Sequence, residues 1–71
     1  MYNNLRAEMA RRGLTSKDLA LMIEMPFTTF YKKFQGKTEF TVSETKKIIF
    51  ALGPDENGEM FTVEHLFFIN G

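Results

Sequence analysis

Apolar residues recur at helical spacing along this chain, and the runs stop at glycines. Leu5 and Met9 stand four apart with Arg11 and Arg12 behind them, where basic side chains favour a helix C-terminus; the spacing predicts a first helix over about Asn3 to Arg12. Gly13, Gly36 and Gly53 each follow a helix-like segment, where a capping residue with positive φ is wanted. Thr15 reads as an N-cap with Asp18 as its capping-box partner, and Leu14 and Leu19 occupy the two positions of a hydrophobic staple. A second helix is expected over about Ser16 to Ile23, with Leu19, Ala20 and Ile23 inward. Pro26 cannot continue it but is welcome in the first turn of another. The third helix is expected over about Pro26 to Gln35, with Phe30 and Phe34 inward and Thr28, Thr29, Tyr31, Lys32 and Lys33 on outer or flanking faces.

Thr41 and Glu44 form a second capping box, opening a fourth helix with a stripe of Val42, Thr45, Ile48, Ile49 and Leu52. Gly53-Pro54-Asp55-Glu56-Asn57-Gly58 is a turn-forming loop. Thr62 caps a last short helix, with Phe61 and Leu66 as its staple. No strand-like alternation flanks Asn57-Gly58, and no repeat is visible. The expected fold is all-α with five helices.

At 71 residues the chain has room for one small domain, which buries roughly 60% of its unfolded surface, so each large apolar side chain matters. A hydrophobic share of 44% with 25% charged residues is that of a globular domain and not of a disordered tail. The absence of cysteine excludes disulfide staples and thiolate metal sites and fits a reducing compartment. Apolar runs such as Leu66-Phe67-Phe68-Ile69 fall far short of the ~20 residues that span a bilayer, and the opening MYNNLRAEM lacks a signal-peptide core. A cytoplasmic location is expected.

The formal net charge is zero, yet its distribution is uneven. Met1 to Lys37 holds seven basic residues against three acidic, a balance of +4; Thr38 to Gly71 holds two against six, a balance of −4. Two readings fit. One is a positive face offered to a polyanion by a chain that is neutral overall; the other is charge scattered over solvated faces.

The second and third helices, joined by Glu24-Met25-Pro26, form a helix-turn-helix candidate over about residues 16–35. Ala20 is small enough to let the two helices approach, and Ile23, Met25 and Phe30 fill the wedge between them. Gly13-Leu14-Thr15, then Lys17-Asp18-Leu19-Ala20, then the run Thr28 to Lys37, then Ala51-Leu52-Gly53 and finally Thr62 to Phe67 follow one another in a telling order. In that order and spacing, essentially the whole chain resembles the lambda-repressor-like (Cro/repressor) helix-turn-helix domains of phage and bacterial regulators.

The resemblance implies a five-helix bundle that binds double-stranded DNA, with the third helix entering the major groove. Its base-reading positions match Phe27, Thr28 and Lys32, with Tyr31 beside them. Lys donates to guanine O6 or N7, Thr hydrogen-bonds or touches a thymine methyl, and Phe packs on that methyl. Its phosphate-contact positions match Thr15, Ser16, Gln35 and Lys37, and the amides opening the second helix add a dipolar anion site. The chain also departs from the family pattern. Glu24 stands where the turn usually has Gly, Pro26 where a capping Ser or Thr is common, and Lys33 where an apolar residue is common. Met9 and Phe34 replace an Arg and an acid that often pair, so an apolar contact is expected there.

Each of these residues also has a plainer role. Phe27 and Tyr31 could flank the core, Thr15 is an N-cap in any case, and Lys32 and Lys33 could be solvated lysines. Met9, Met22, Met25 and Met60 read as core or rim filler, and His65 as structural.

The tail is rich in large apolar groups. Either all of them close one core, or Phe67, Phe68 and Ile69 form a homodimer interface on a pseudo-palindromic operator. The leading function is a phage-like or prophage repressor, Cro-like or an excised DNA-binding domain. The other is a protein-interaction module, antitoxin- or anti-repressor-like, that keeps the fold without DNA. With no Cys, one His, no phosphate-binding Gly-rich loop and no nucleophile–base pair, neither an enzyme nor a cofactor, metal or small-molecule substrate is expected.

Overall fold

The structure is a computed structural model that describes residues 2–68. It is all-helical, with no strand among the described residues: α1 spans Asn3–Arg11, α2 Ser16–Met22, α3 Phe27–Phe34 and α4 Val42–Leu52, and a single π-helical turn covers Glu64–Phe68. The first four helices match the sequence expectation to within a residue or two at their ends. Pro26 is the N-cap of α3 and not its first helical residue, its ψ of 139° being extended. The fifth helix is shorter and wider than a regular α-helix, although Thr62 Oγ1 still accepts the His65 amide as the capping pattern requires (3.1 Å).

Both capping boxes form. Asp18 N donates to Thr15 Oγ1 (3.1 Å) and Thr15 N to Asp18 Oδ2 (2.9 Å); Glu44 N donates to Thr41 Oγ1 (3.1 Å) and Thr41 N to Glu44 Oε1 (2.8 Å). The first three helices end alike. Leu14 N donates to Met9 O and Gly13 N to Ala10 O; Met25 N to Ala20 O and Glu24 N to Leu21 O; Lys37 N to Lys32 O and Gly36 N to Lys33 O. This is the Schellman arrangement, which needs a left-handed residue just past each helix. Gly13 (φ 66°) and Gly36 (φ 84°) supply it, and Glu24 (φ 57°) supplies it between α2 and α3 at a steric cost glycine avoids.

One apolar cluster joins every element: Leu5 and Met9 of α1, Leu19 and Ala20 of α2, Ile23 at its end, Phe30 and Phe34 of α3, Ile48, Ile49 and Leu52 of α4, and Leu66 and Phe67 of the terminal turn. Ala20, Ile23 and Phe30 are buried between α2 and α3, with Met25 packed against them, as the wedge requires. Val42 departs from the expected α4 stripe. It is exposed, because the first helical residue of α4 lies past the edge of the core, and Thr45 is the first of the stripe to be buried. Of the methionines expected as core or rim filler, Met9 is buried and Met25 partly so, whereas Met22 and Met60 are exposed.

Phe67 corrects the expectation for the tail. It is only 8% exposed, because Tyr2 and Phe40 close over it with ring centroids at 5.6 and 5.4 Å. Its surface is used within the chain and is not free for a partner. Phe68 is 75% exposed, and Ile69 lies outside the described residues.

Arg12 fastens the end of α1 to the end of α4. Its Nε donates to Leu52 O (2.7 Å), its Nη2 to Pro54 O (3.2 Å), and its Nη1 to the buried Glu8 carboxylate (2.9 Å). The guanidinium also lies 5.3 Å from the Phe61 ring centroid.

Candidate functional site

The site is built on α3. Its inner face carries Phe30 and Phe34, stacked at 5.5 Å and buried, so rotation about its own axis is fixed. What remains outward is a contiguous strip of Phe27, Thr28, Tyr31, Lys32 and Gln35, all exposed and related by the i, i+3 and i+4 steps that share a helix face. The four expected base readers are therefore on one surface. The α2 end fixes where this strip starts. Its Schellman turn places Pro26, which has no amide hydrogen to satisfy, directly before Phe27.

Phe27 and Tyr31 do not stand as isolated aromatics. Their rings stack at 5.5 Å and 28°, leaving 38% and 43% of each residue exposed. Lys17 Nζ lies 5.7 Å from the Phe27 centroid, tying the start of α2 to the start of α3 by a cation–π contact. The strip thus has an aromatic edge braced by a cation and a polar edge of Thr28 and Lys32.

The expected phosphate contacts divide into two groups. Thr15 and Ser16 border a shallow hollow of about 210 Å³ between α1, the start of α2 and the end of α3, together with Arg6 and Phe34. Gln35 and Lys37 are exposed at and just past the C-terminal end of α3. The hollow brings a cation that the sequence reading missed. Arg6 Cζ sits 4.4 Å from the Phe34 centroid, beside Thr15 and Ser16. The signal for it was Phe34 itself. An aromatic ring in a position often acidic is still a partner for an arginine, through its face and not through an ion pair. Met9 and Phe34 are both buried in the one core cluster.

The start of α2 is less available to an anion than expected. The Thr15 and Asp18 amides are already engaged in the capping box, and Asp18 brings a negative charge. Backbone and side-chain hydrogen bonds with Thr15 hold the Asp18 carboxyl below its usual range, so it stays ionised at neutral pH. The capping box thus takes up the Asp18 amide and sets a carboxylate beside the other amides at the start of α2.

Lys33 also turns away from the strip. Its Nζ is 2.6 Å from Glu44 Oε1, with both side chains mostly covered. Burial pushes the Glu44 carboxyl up, but the Lys33 hydrogen bond, the Thr41 amide and the Lys33 charge outweigh it and hold it below the usual range. The exposed lysines around α3 are then Lys17, Lys32 and Lys37.

This chain matches no family model, no curated protein and no solved structure. Its function must be argued from these residues. The strip offers hydrogen-bond donors (Lys32, Thr28, Gln35), an aromatic surface and positive charge on a rigid rod. No helix among the described residues is long and apolar enough to cross a membrane.

Proposed function

We propose that this chain is a sequence-specific double-stranded DNA-binding domain of the lambda-repressor-like helix-turn-helix kind, from a phage-like or prophage repressor acting in the cytoplasm. In this reading α2 and α3 are the helix-turn-helix, and α3 is the recognition helix. Lys32 and Thr28 address base edges, and Phe27 and Tyr31 meet thymine methyls. Lys37, Gln35, Thr15 and Ser16 hold phosphates and set the register, with Arg6 and Lys17 close by. Two copies on a pseudo-palindromic operator would place their recognition helices about one DNA turn apart. The domain acts by binding and carries out no chemical step.

The observation that carries this reading is the contiguous exposed strip of Phe27, Thr28, Tyr31 and Lys32 on a helix whose other face is locked by Phe30 and Phe34. Electrophoretic shift of duplex DNA over a range of salt tests it. Affinity should fall linearly on a log–log plot, with a slope of about −0.9 for each phosphate neutralised. A chain that shifts no duplex at low salt is not a DNA-binding domain.

One observation favours a second reading, a protein-interaction module that keeps the fold without DNA. Asp18 places a carboxylate where a phosphate would approach Thr15. On that reading Lys32→Ala and Lys37→Ala leave partner binding unchanged.

A further inference from the structure

Of the three asparagines among the described residues, one stands apart. Asn3 and Asn4 lie in α1, each followed by a residue that carries a side chain, and Asn4 Nδ2 donates to His65 O (2.7 Å). Asn57 lies in the loop after α4, is exposed, and is followed by Gly58. Its side-chain amide has no hydrogen-bond partner among the described residues. Gly58 has a φ of 80° and open space where a Cβ would stand. No side chain crowds the Gly58 nitrogen, and no bond restrains the Asn57 carboxamide.

Asp55 closes this loop. Its Oδ1 accepts the Asn57 and Glu59 amides (2.9 Å each), its N donates to Glu59 O (2.8 Å), and its O accepts the Gly58 amide (3.0 Å). A short side chain bonding to the backbone just ahead of it is a common way to hold a surface turn. Only the last of these bonds engages the Gly58 nitrogen, and exposed turns of this kind open locally at small cost. The loop is also tied to α1. Pro54 O accepts from Arg12 Nη2 (3.2 Å), and Glu56 Oε1 lies 3.8 Å from Arg11 Nη1.

We infer that Asn57-Gly58 is a site of self-modification, at which the chain converts its own asparagine to aspartate and isoaspartate. Asparagine is among the thermally labile side chains. When the turn opens, hydroxide takes the Gly58 amide proton and the nitrogen attacks Asn57 Cγ. The Cγ–Nδ2 bond breaks, Nδ2 takes a proton from water and leaves as ammonia, and a cyclic imide remains. Water then opens the imide at either carbonyl. Opening at Cγ gives aspartate; opening at the main-chain carbonyl gives isoaspartate, in which the backbone runs through the former side chain and is one methylene longer. Either product adds a negative charge beside Asp55, Glu56 and Glu59. The isoaspartate also lengthens the segment that the Asp55–Glu59 bonds close. The loop then loosens where it is tied to α1, and the molecule loses stability with age. The inference does not rest on DNA binding.

Ageing of the full chain below its Tm, at neutral and mildly alkaline pH, followed by digestion and peptide mapping by mass spectrometry, reads it directly. Position 57 should convert faster than Asn3 or Asn4, and faster as pH rises, because hydroxide removes the proton. Isoaspartyl methyltransferase labelling identifies the isoaspartate. Asn70-Gly71 lies outside the described residues and is scored on its own peptide. The wild type should lose Tm as position 57 converts, and Asn57→Gln aged alongside should lose less. Asp55→Ala removes two of the bonds that close the turn and should speed conversion about tenfold, as the loss of one or two exposed hydrogen bonds gives. The inference is overturned if position 57 stays intact in the folded chain while the same chain converts in guanidinium, or if Asn3 or Asn4 keeps pace with it. An unchanged rate in Asp55→Ala, or an unchanged Tm after full conversion, overturns it as well.

Discussion

Lys33 on α3 donates from Nζ to Glu44 Oε1 across 2.6 Å, and the same carboxylate accepts the Thr41 amide that caps α4. One acid thus anchors α3 to α4 and closes the first turn of α4. Two adjacent lysines, Lys32 and Lys33, are alike in sequence and opposite in use. Lys33→Ala should lower stability by about 1 kcal/mol and leave the salt slope of DNA binding unchanged. Lys32→Ala should leave stability within about 0.5 kcal/mol and reduce the slope by roughly one, or relax base preference at one position. Urea melts combined with salt titrations separate the two outcomes; equal effects from both variants would contradict this division.

The same contact sets an acid limit. Glu44 and Asp18 both have folded values below their unfolded ones. The unfolded chain therefore binds more protons in the acid range, so stability rises with pH there. The contribution is fully present above the unfolded values of about 4 and is lost as pH falls through the lower folded ones. Glu44→Gln should lower stability at neutral pH and flatten its decline at acid pH. Thermal melts between neutral pH and the acid limit measure this, and an unchanged acid slope would assign the acid sensitivity to other groups.

Glu24 holds a φ of 57° in a turn whose counterparts after α1 and α3 are glycines. Glu24→Gly should raise stability by about 0.5–1 kcal/mol by relieving that conformation, which is a Tm rise of roughly 2–8 °C for a domain of this size. A β-branched replacement, Glu24→Val, should do the opposite. If Glu24→Gly lowers Tm, the turn does not carry the strain described.

Arg12 bridges buried Glu8 to the Leu52 and Pro54 carbonyls. Arg12→Ala leaves that carboxylate without its closest cation and should cost about 2–4 kcal/mol, a large part of the stability of so small a domain. Arg12→Lys should recover little, because an ammonium cannot reach three acceptors as the planar fork does. Denaturant unfolding checks both; full recovery by lysine would reduce the role of Arg12 to charge alone.

Much of this fold is legible because its signals are local. Thr15 with Asp18 and Thr41 with Glu44 announce their own helices, and Gly13 and Gly36 announce where the helices stop. The spacing of Phe30 and Phe34 fixes which face of α3 is buried, and so which residues form the strip. What could not be read depends on contacts distant in sequence. Phe67 is buried because Tyr2 and Phe40 arrive over it, and a tail of consecutive apolar residues does not say which of them faces inward. Lys33 turns inward because Glu44 is there to meet it, and Arg6 reaches the Thr15 side through Phe34. Val42 fits the helical stripe by spacing, but periodicity does not show where the core ends.

Selection of bound duplexes from a random pool tests most directly whether the outward face of α3 reads DNA. The wild-type chain should enrich one motif, and Lys32→Ala or Thr28→Ala should lose preference at single positions within it while the rest of the motif is kept. A pool that yields no motif at low salt, or a motif indifferent to every substitution on the strip, would contradict the assignment of α3 as the recognition helix.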